Sequence, residues 1–351
     1  MKKINKIVIN FFYPNDLEYR HYQRYYYLSL SKYLNKFNSK IQLFPKKTKK
    51  FMSKNNSKTK LNDPKISKFH QRHDSFVGQY IIKIPSIEKE VKIAIDAHDA
   101  HEIKSKSILD WSDIYFKSNK WEYANYPEKV LHIINGNGTL SLLKIKILKL
   151  LRRRKRKKFD IVFISRVWGD RQHNIRLFES ISKVNCKKYL LAIFTNFDKK
   201  LPETKEYQLR LDKAGVPWTY NTMYQGRLWY YMANSRILIL RAGKHLCIPW
   251  RMLDQLCMGA CFVYDSIPYP KWPHPLQPNI NYVNLGIKRE PDEIIPIEEY
   301  QRIPEIIEYL LKNDELQQLI RTNNAKYFDE YASPIKVGEY IIEEIKKRFL
   351  E

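Results

Sequence analysis

Four cysteines in 351 residues (Cys186, Cys247, Cys257 and Cys261) are too few and too irregular for a disulfide scaffold, and they point to a reducing compartment. Cys257 and Cys261 lie four apart, but a glycine and a strand start intervene and no second ligand pair follows, so zinc is not expected. No apolar run approaches the roughly 20 residues needed to cross a bilayer. The opening MKKINKIVINFFYPND has a short apolar stretch broken by Asn10 and no small-residue cleavage site. It reads as a first strand rather than a signal peptide, which makes the expected location cytoplasmic. Two phosphate loops are missing as well, G-x-x-x-x-G-K-[ST] and a G-x-G-x-x-G after the first strand. GNGTL (136–140) is too short and too late to replace them, so kinase and dehydrogenase readings lose ground. Acid is also scarce: 37 Asp and Glu against 63 Lys and Arg give a formal net charge of +26. Such a balance attracts polyanions, whether nucleic acid or anionic lipid headgroups, although scattered surface lysines account for part of it.

What is present is a packed globular chain, 44% apolar and with 25 tyrosines, long enough for two domains. KIVINFF (6–12), IQLFP (41–45), VKIAI (91–95), DIYFK (113–117) and KVLHII (129–134) read as strands, and YQRYYYLSLSKYLNKF (22–37) has helical spacing. Residues 46–60 hold seven lysines and no acid, the pattern of a surface loop. FDIVFIS (159–165) restarts the alternation, followed by the helix RLFESISKV and the strand YLLAIF. The tail from about Ile303 is helical, with breaks at Pro304 and Pro334. This is an α/β chain of two Rossmann-like halves.

Residues 236–265 are the most informative stretch. Ile237–Leu240 and Cys261–Tyr264 are short buried strands, and between them lies a helix opened by Pro249 and closed by Gly259. Parallel sheets bind ligands at the carboxyl ends of their strands, where Arg241, Lys244, His245, Arg251 and Asp265 would gather. Cations at that place suit a phosphate.

RMLDQLCMGACFVYD (251–265) resembles the donor-site helix of GT-B glycosyltransferases, including the exostosin-like branch. EKVLHIINGNG looks like the end of their N-terminal domain, DIVFISRVWGDRQHNIRLFESI like the opening of their C-terminal domain, and FDEYASPIKVGEYIIEEI like their closing helices. The resemblance implies two Rossmann-like domains facing a cleft, with C-terminal helices packing back on the N-terminal domain. The expected bounds are 1–157 for the acceptor side, 158–335 for nucleotide-sugar binding and 336–351 for the last helix. The implied activity is transfer of a sugar from a nucleotide-diphosphate donor to a glycan or lipid-linked glycan.

In this resemblance Arg166 and Arg171 match the basic positions that meet the diphosphate, with Ser165 in place of a glycine. Arg241, Lys244 and Arg251 are further donor cations, and Asp254 stands where a carboxylate holds the ribose. A usual glutamate two turns upstream is replaced by His245 or Leu246. Arginine suits a diphosphate because its fork is bidentate and permanently charged. IDAHDAHEI (95–103) ends a strand with Asp96, His98, Asp99 and His101. His98 and Asp99 are read as base or orienter of the acceptor, with loop structure and metal binding as the other readings. No Asp-x-Asp pair is present, which favours a metal-independent reaction with no cofactor beyond the nucleotide sugar.

Residues 140–158 combine Leu140, Leu143, Ile147, Leu150 and Leu151 with ten cations from Lys144 to Lys158 and no acid. A basic amphipathic helix of this kind either lies peripherally on an anionic membrane face or packs at the domain junction. Two rival functions stay open. One is a nucleic-acid-binding protein, although no such module is visible and the tyrosines cluster at Tyr22, Tyr25, Tyr26 and Tyr27, away from the basic run; the other is an inactive GT-B relative that only binds.

Overall fold

The structure, a computed structural model, describes residues 7–12, 17–35, 41–44, 77–84, 87, 90–243, 245–265, 267, 270–289 and 294–350. The lysine-rich segment 46–60 and Lys244 lie outside the described residues. The chain divides into two compact units, residues 1–141, 269–274 and 329–351 on one side and 142–268 with 275–328 on the other.

The first unit is built on a six-stranded sheet of β1 (Val8–Phe12), β2 (Ile41–Phe44), β3 (Val77–Lys83), β4 (Val91–Asp96), β5 (Ile114–Lys117) and β6 (Val130–His132), in the order β2-β1-β3-β4-β5-β6. All four residues of β5 are buried, as expected of a strand covered on both faces. β3 runs antiparallel to both β1 and β4, so this sheet is mixed rather than wholly parallel. The connection from Lys83 to Val91 is too short for a helical crossover, which leaves a hairpin as its only outcome. Helix α1 (Leu17–Asn35) and the short α2 (Lys106–Trp111) precede the return of the chain. The C-terminal helix α11 (Pro334–Leu350) then packs on α1, bringing the last residues back to the first unit as the resemblance implied. Gly338 makes that contact possible: a Cβ there would lie 2.3 Å from the carbonyl oxygen of Ser29. Tyr340 donates from its hydroxyl to the carbonyl of His132 at 2.9 Å, and Tyr25 donates to that of Ala332.

The second unit has a wholly parallel sheet of β7 (Phe159–Arg166), β8 (Lys188–Ile193), β9 (Trp218–Thr219), β10 (Ser235–Leu240), β11 (Phe262–Tyr264) and β12 (Val283–Asn284). Its order is β12-β11-β10-β7-β8-β9. The chain therefore winds outward from β7 in one direction, returns to β10, and winds outward in the other. The helices are α3 (Leu142–Leu151), α4 (Arg171–Ser182), α5 (Glu203–Lys213), α6 (Gln225–Ala233), α7 (Met252–Met258), α8 (Ile297–Gln301), α9 (Ile303–Lys312) and α10 (Asp314–Tyr327). Every residue of α7 is buried, and Gly259 ends it at φ +59°, a left-handed cap that costs glycine little.

The division between units falls at residue 141 rather than at 157. Packing of α3 decides this. Ile145 and Leu148 are buried, Arg152 Nε donates to the carbonyl of Cys257 at 2.6 Å, and Lys149 lies over the ring of Phe328. At the other end, 329–335 joins the first unit with α11, so the second unit closes at 328 and not at 335.

Candidate functional site

In an open parallel sheet the ligand crevice opens outside the carboxyl ends of the strands, where the winding reverses. Here that point lies between β7 and β10, whose carboxyl ends carry Arg166 and Arg241. Arg166 is exposed. Arg241 turns inward: its Nε donates to Ser165 Oγ at 2.9 Å, and its Nη atoms donate to the carbonyls of Ala242, Arg166 and Trp168 at 3.0, 3.0 and 3.3 Å. Burial pushes it down to about 10, so it stays charged near neutrality. Arg241 thus ties the loop that follows β7 to the end of β10, with Ser165 supplying an acceptor that glycine would lack.

Arg251 precedes α7, and its guanidinium is held below the usual range by burial and then by the like charge of Arg166, against the weaker opposing pull of Asp254. Neither Arg166 nor Arg251 forms an ion pair among the described residues. Two neighbouring guanidinium groups without a bonded carboxylate repel each other until an anion sits between them.

Arg171 and Asp254 have internal duties. Arg171 Nε and Nη2 donate to Asp198 Oδ1 at 3.0 and 2.9 Å, while the guanidinium lies 5.6 Å from the ring of Trp168. Burial raises Asp198, but hydrogen bonds from Thr195 and Arg171 outweigh it and hold the carboxyl below its usual range. Asp254 is 1% exposed, and its Oδ2 accepts from the indole Nε1 of Trp229 at 2.9 Å. At this depth Asp254 links α6 to α7.

Asp265, at the end of β11, is the hub of a buried network. Its Oδ1 accepts from Ala242 N at 2.7 Å, and its Oδ2 lies 3.1 Å from His173 Nε2 and 3.2 Å from Arg289 Nη1. His173 Nδ1 is 2.8 Å from the hydroxyl of Tyr300. A neutral ring satisfies both ends, donating from Nε2 to Asp265 and accepting from Tyr300 at Nδ1. Burial lowers the pKa of His173, against the opposing pull of Asp265. Asp170 adds the other half of the frame: it caps α4 by accepting from His173 N at 2.9 Å and lies 3.5 Å from Arg289. His173, Asp198 and Arg289 escaped the sequence reading because their partners are 92, 27 and 24 residues away. The one local signal was Asp170, an N-cap before a helical run.

In the first unit the expected cluster follows β4. Asp96 is buried with Lys117 and Tyr115, at 2.9 and 2.8 Å from its Oδ2. His98 is half-buried, and its Nδ1 accepts from Ala100 N at 2.9 Å. That bond leaves the ring proton on Nε2, the tautomer that donates rather than one that takes a proton. Asp99 is exposed, and its carbonyl accepts from Asn119 Nδ2. His101 stacks on Trp121 at 3.8 Å. The same unit holds a pocket of about 280 Å³ lined by His274, Glu330, Tyr331, Glu339, Tyr340 and Glu343 among others. Rings beside carboxylates are what a saccharide uses, an apolar face together with partners for its hydroxyls. Among the described residues, no three His, Cys, Asp or Glu side chains converge to hold a metal, and no helix is long and apolar enough to cross a membrane.

No family model matches the sequence, and no curated protein is similar to it in sequence. In three dimensions the chain is similar to a glycosyltransferase from Rickettsia africae ESF-5, with 12% identity and a TM-score of 0.50 over 95% of this chain and 96% of that one. The fold is that of GT-B glycosyltransferases. HepE from Anabaena, solved with UDP, is a more distant likeness, at 13% identity and a TM-score of 0.44 over 69% of this chain and 66% of its own. The C-terminal domain of a group 1 family glycosyl transferase, LpcC from Francisella tularensis, is another, at 14% and 0.36 over 51% of this chain and 88% of its own. Within the GT-B frame, Arg166, Arg241 and Arg251 lie in the second unit, and His98 and Asp99 in the first.

Proposed function

We propose that the protein is a glycosyltransferase that moves a sugar from a nucleotide-diphosphate donor to a glycan or lipid-linked glycan, without a metal ion. The observation that carries this reading is the pair Arg166 and Arg251, like charges gathered near the switch point of a parallel sheet with no ion-pair partner. A diphosphate answers that repulsion, and the same cations steady the charge that grows on the leaving group. Arg241 positions the Arg166 backbone and the loop through Trp168.

On the first unit, His98 donates from Nε2 to the acceptor oxygen, and the exposed Asp99 takes the acceptor proton. Removal of the Asp99 carboxylate lowers kcat by about 10²–10⁴, the usual range for proton-transfer groups.

Thermal shift with UDP, GDP, ADP and CMP, in the absence of divalent metal, tests the donor site. A ligand present at about 100 times its Kd stabilises the folded state by about 2.7 kcal/mol. One nucleoside diphosphate is expected to stabilise the wild type selectively, while Arg166→Ala and Arg251→Ala keep their melting points and lose the response. Indifference of the wild type to every nucleotide would sink the reading.

A further inference from the structure

Helix α3 is packed on one face and bare on the other. Ile145 and Leu148 point inward, whereas Leu143, Ile147 and Leu150 are 68%, 40% and 62% exposed. These three lie at i, i+4 and i+7 and form one continuous ridge. The cations divide in the same way. Lys144 donates to Gln225 Oε1 at 2.9 Å, Lys149 covers the ring of Phe328, and Arg152 binds backbone carbonyls, so these three hold the helix to its own unit. Lys146, Arg153, Arg154, Lys155 and Arg156 are exposed. No carboxylate pairs with Lys146, Arg153, Lys155 or Arg156 among the described residues. Burial, and after it the repulsion of Arg321 and Arg154, pushes Lys157 down to about 8.

We propose that this face of α3 and the arginines that follow it dock on a membrane surface rich in anionic lipid, with Leu143, Ile147 and Leu150 lying at the boundary of headgroups and acyl chains. An aliphatic ridge rimmed by unpaired cations matches a bilayer in both respects, since apolar burial and headgroup charge act together. A nucleic acid answers only half of this pattern. It would use the cations and the exposed ring of Tyr230, but Arg154 and Lys158 already lie 5.9 and 5.4 Å from that ring, and a phosphate backbone has no use for three aliphatic side chains.

Sedimentation with vesicles tests the surface, using phosphatidylcholine alone and phosphatidylcholine with phosphatidylglycerol in equal parts, at low and high salt. The full chain is expected to bind the anionic vesicles and to keep part of that binding in high salt, because the apolar share is not screened. Replacing Lys146, Arg153, Lys155 and Arg156 with Gln should weaken binding by about fivefold per cation, several-hundred-fold together. The variant Leu143→Ser, Ile147→Ser, Leu150→Ser should bind only at low salt. All seven side chains are exposed, so both variants should melt like the wild type, and a variant that does not is replaced by its single substitutions. Wild-type affinity in either variant would overturn the proposal, as would binding to single-stranded DNA with none to anionic vesicles.

Discussion

Asp254 and Asp265 show how much a carboxylate's meaning depends on what reaches it. Asp254 accepts the Trp229 indole N–H in a fully buried helix, so Asp254→Ala should cost at least about 1–3 kcal/mol, the Trp229 donor being left unmet. Asp254→Asn retains an acceptor and should restore most of that loss. Urea unfolding distinguishes the two, and nucleotide affinity should change little in the folded Asn variant. Asp265 bears more, because Arg289 is 6% exposed and leans on it. Removing one partner of a buried pair strands the other, so Asp265→Ala should lose about 3–5 kcal/mol. His173 adds a pH dependence. Its folded pKa lies below the ordinary 6.5, so its contribution is complete above about 6.5 and is lost as pH falls toward the folded value, where the unfolded chain takes up the proton first. His173→Gln keeps a donor and an acceptor without titrating, and unfolding measured across that window should show a flatter slope. An unchanged slope would mean that other groups set the acid response.

Among the elements, α1 and α11 depend on a contact that only glycine permits. Gly338→Ala should force the helices apart and destabilise the protein by about 1–3 kcal/mol, although alanine is the better helix former. A melting point equal to the wild type would show that the pair relaxes freely. In the second half β7, α4, β8, β10, α7 and β11 were legible as short apolar runs and helical spacing, whereas the two-residue strands β9 and β12 and the helices α5, α6 and α8 were not. β3 was not legible: VGQYIIK has no clean alternation, and its antiparallel setting comes from a short connection to β4. The sequence LLKIKILKLL named α3 but not its orientation, since apolar residues lie on both faces and only packing shows that Ile145 and Leu148 face inward. Arg166 was legible as the end of a buried strand. Its neighbour Arg251 was legible by type, but their proximity without a bonded acid was not.

At the scale of the whole molecule, a net charge of +26 spread over 351 residues opposes compaction. Added salt should therefore raise the melting temperature before any specific ion effect, and a flat or falling curve would show that local pairs such as Arg171–Asp198 dominate instead. The path of the chain has a consequence in time. The first unit takes its opening residues from the start of the chain and its closing helix from the far end, with 142–268 and 275–328 in between. On a ribosome it is begun first and completed last, because the face of α1 that receives Gly338 waits uncovered while the second unit is made. The second unit comes from two stretches separated by only six residues, so it has all its parts earlier. Nascent chains halted before residue 334 should thus protect the second sheet from protease while the first is still being cut, and release of the remaining residues should close both.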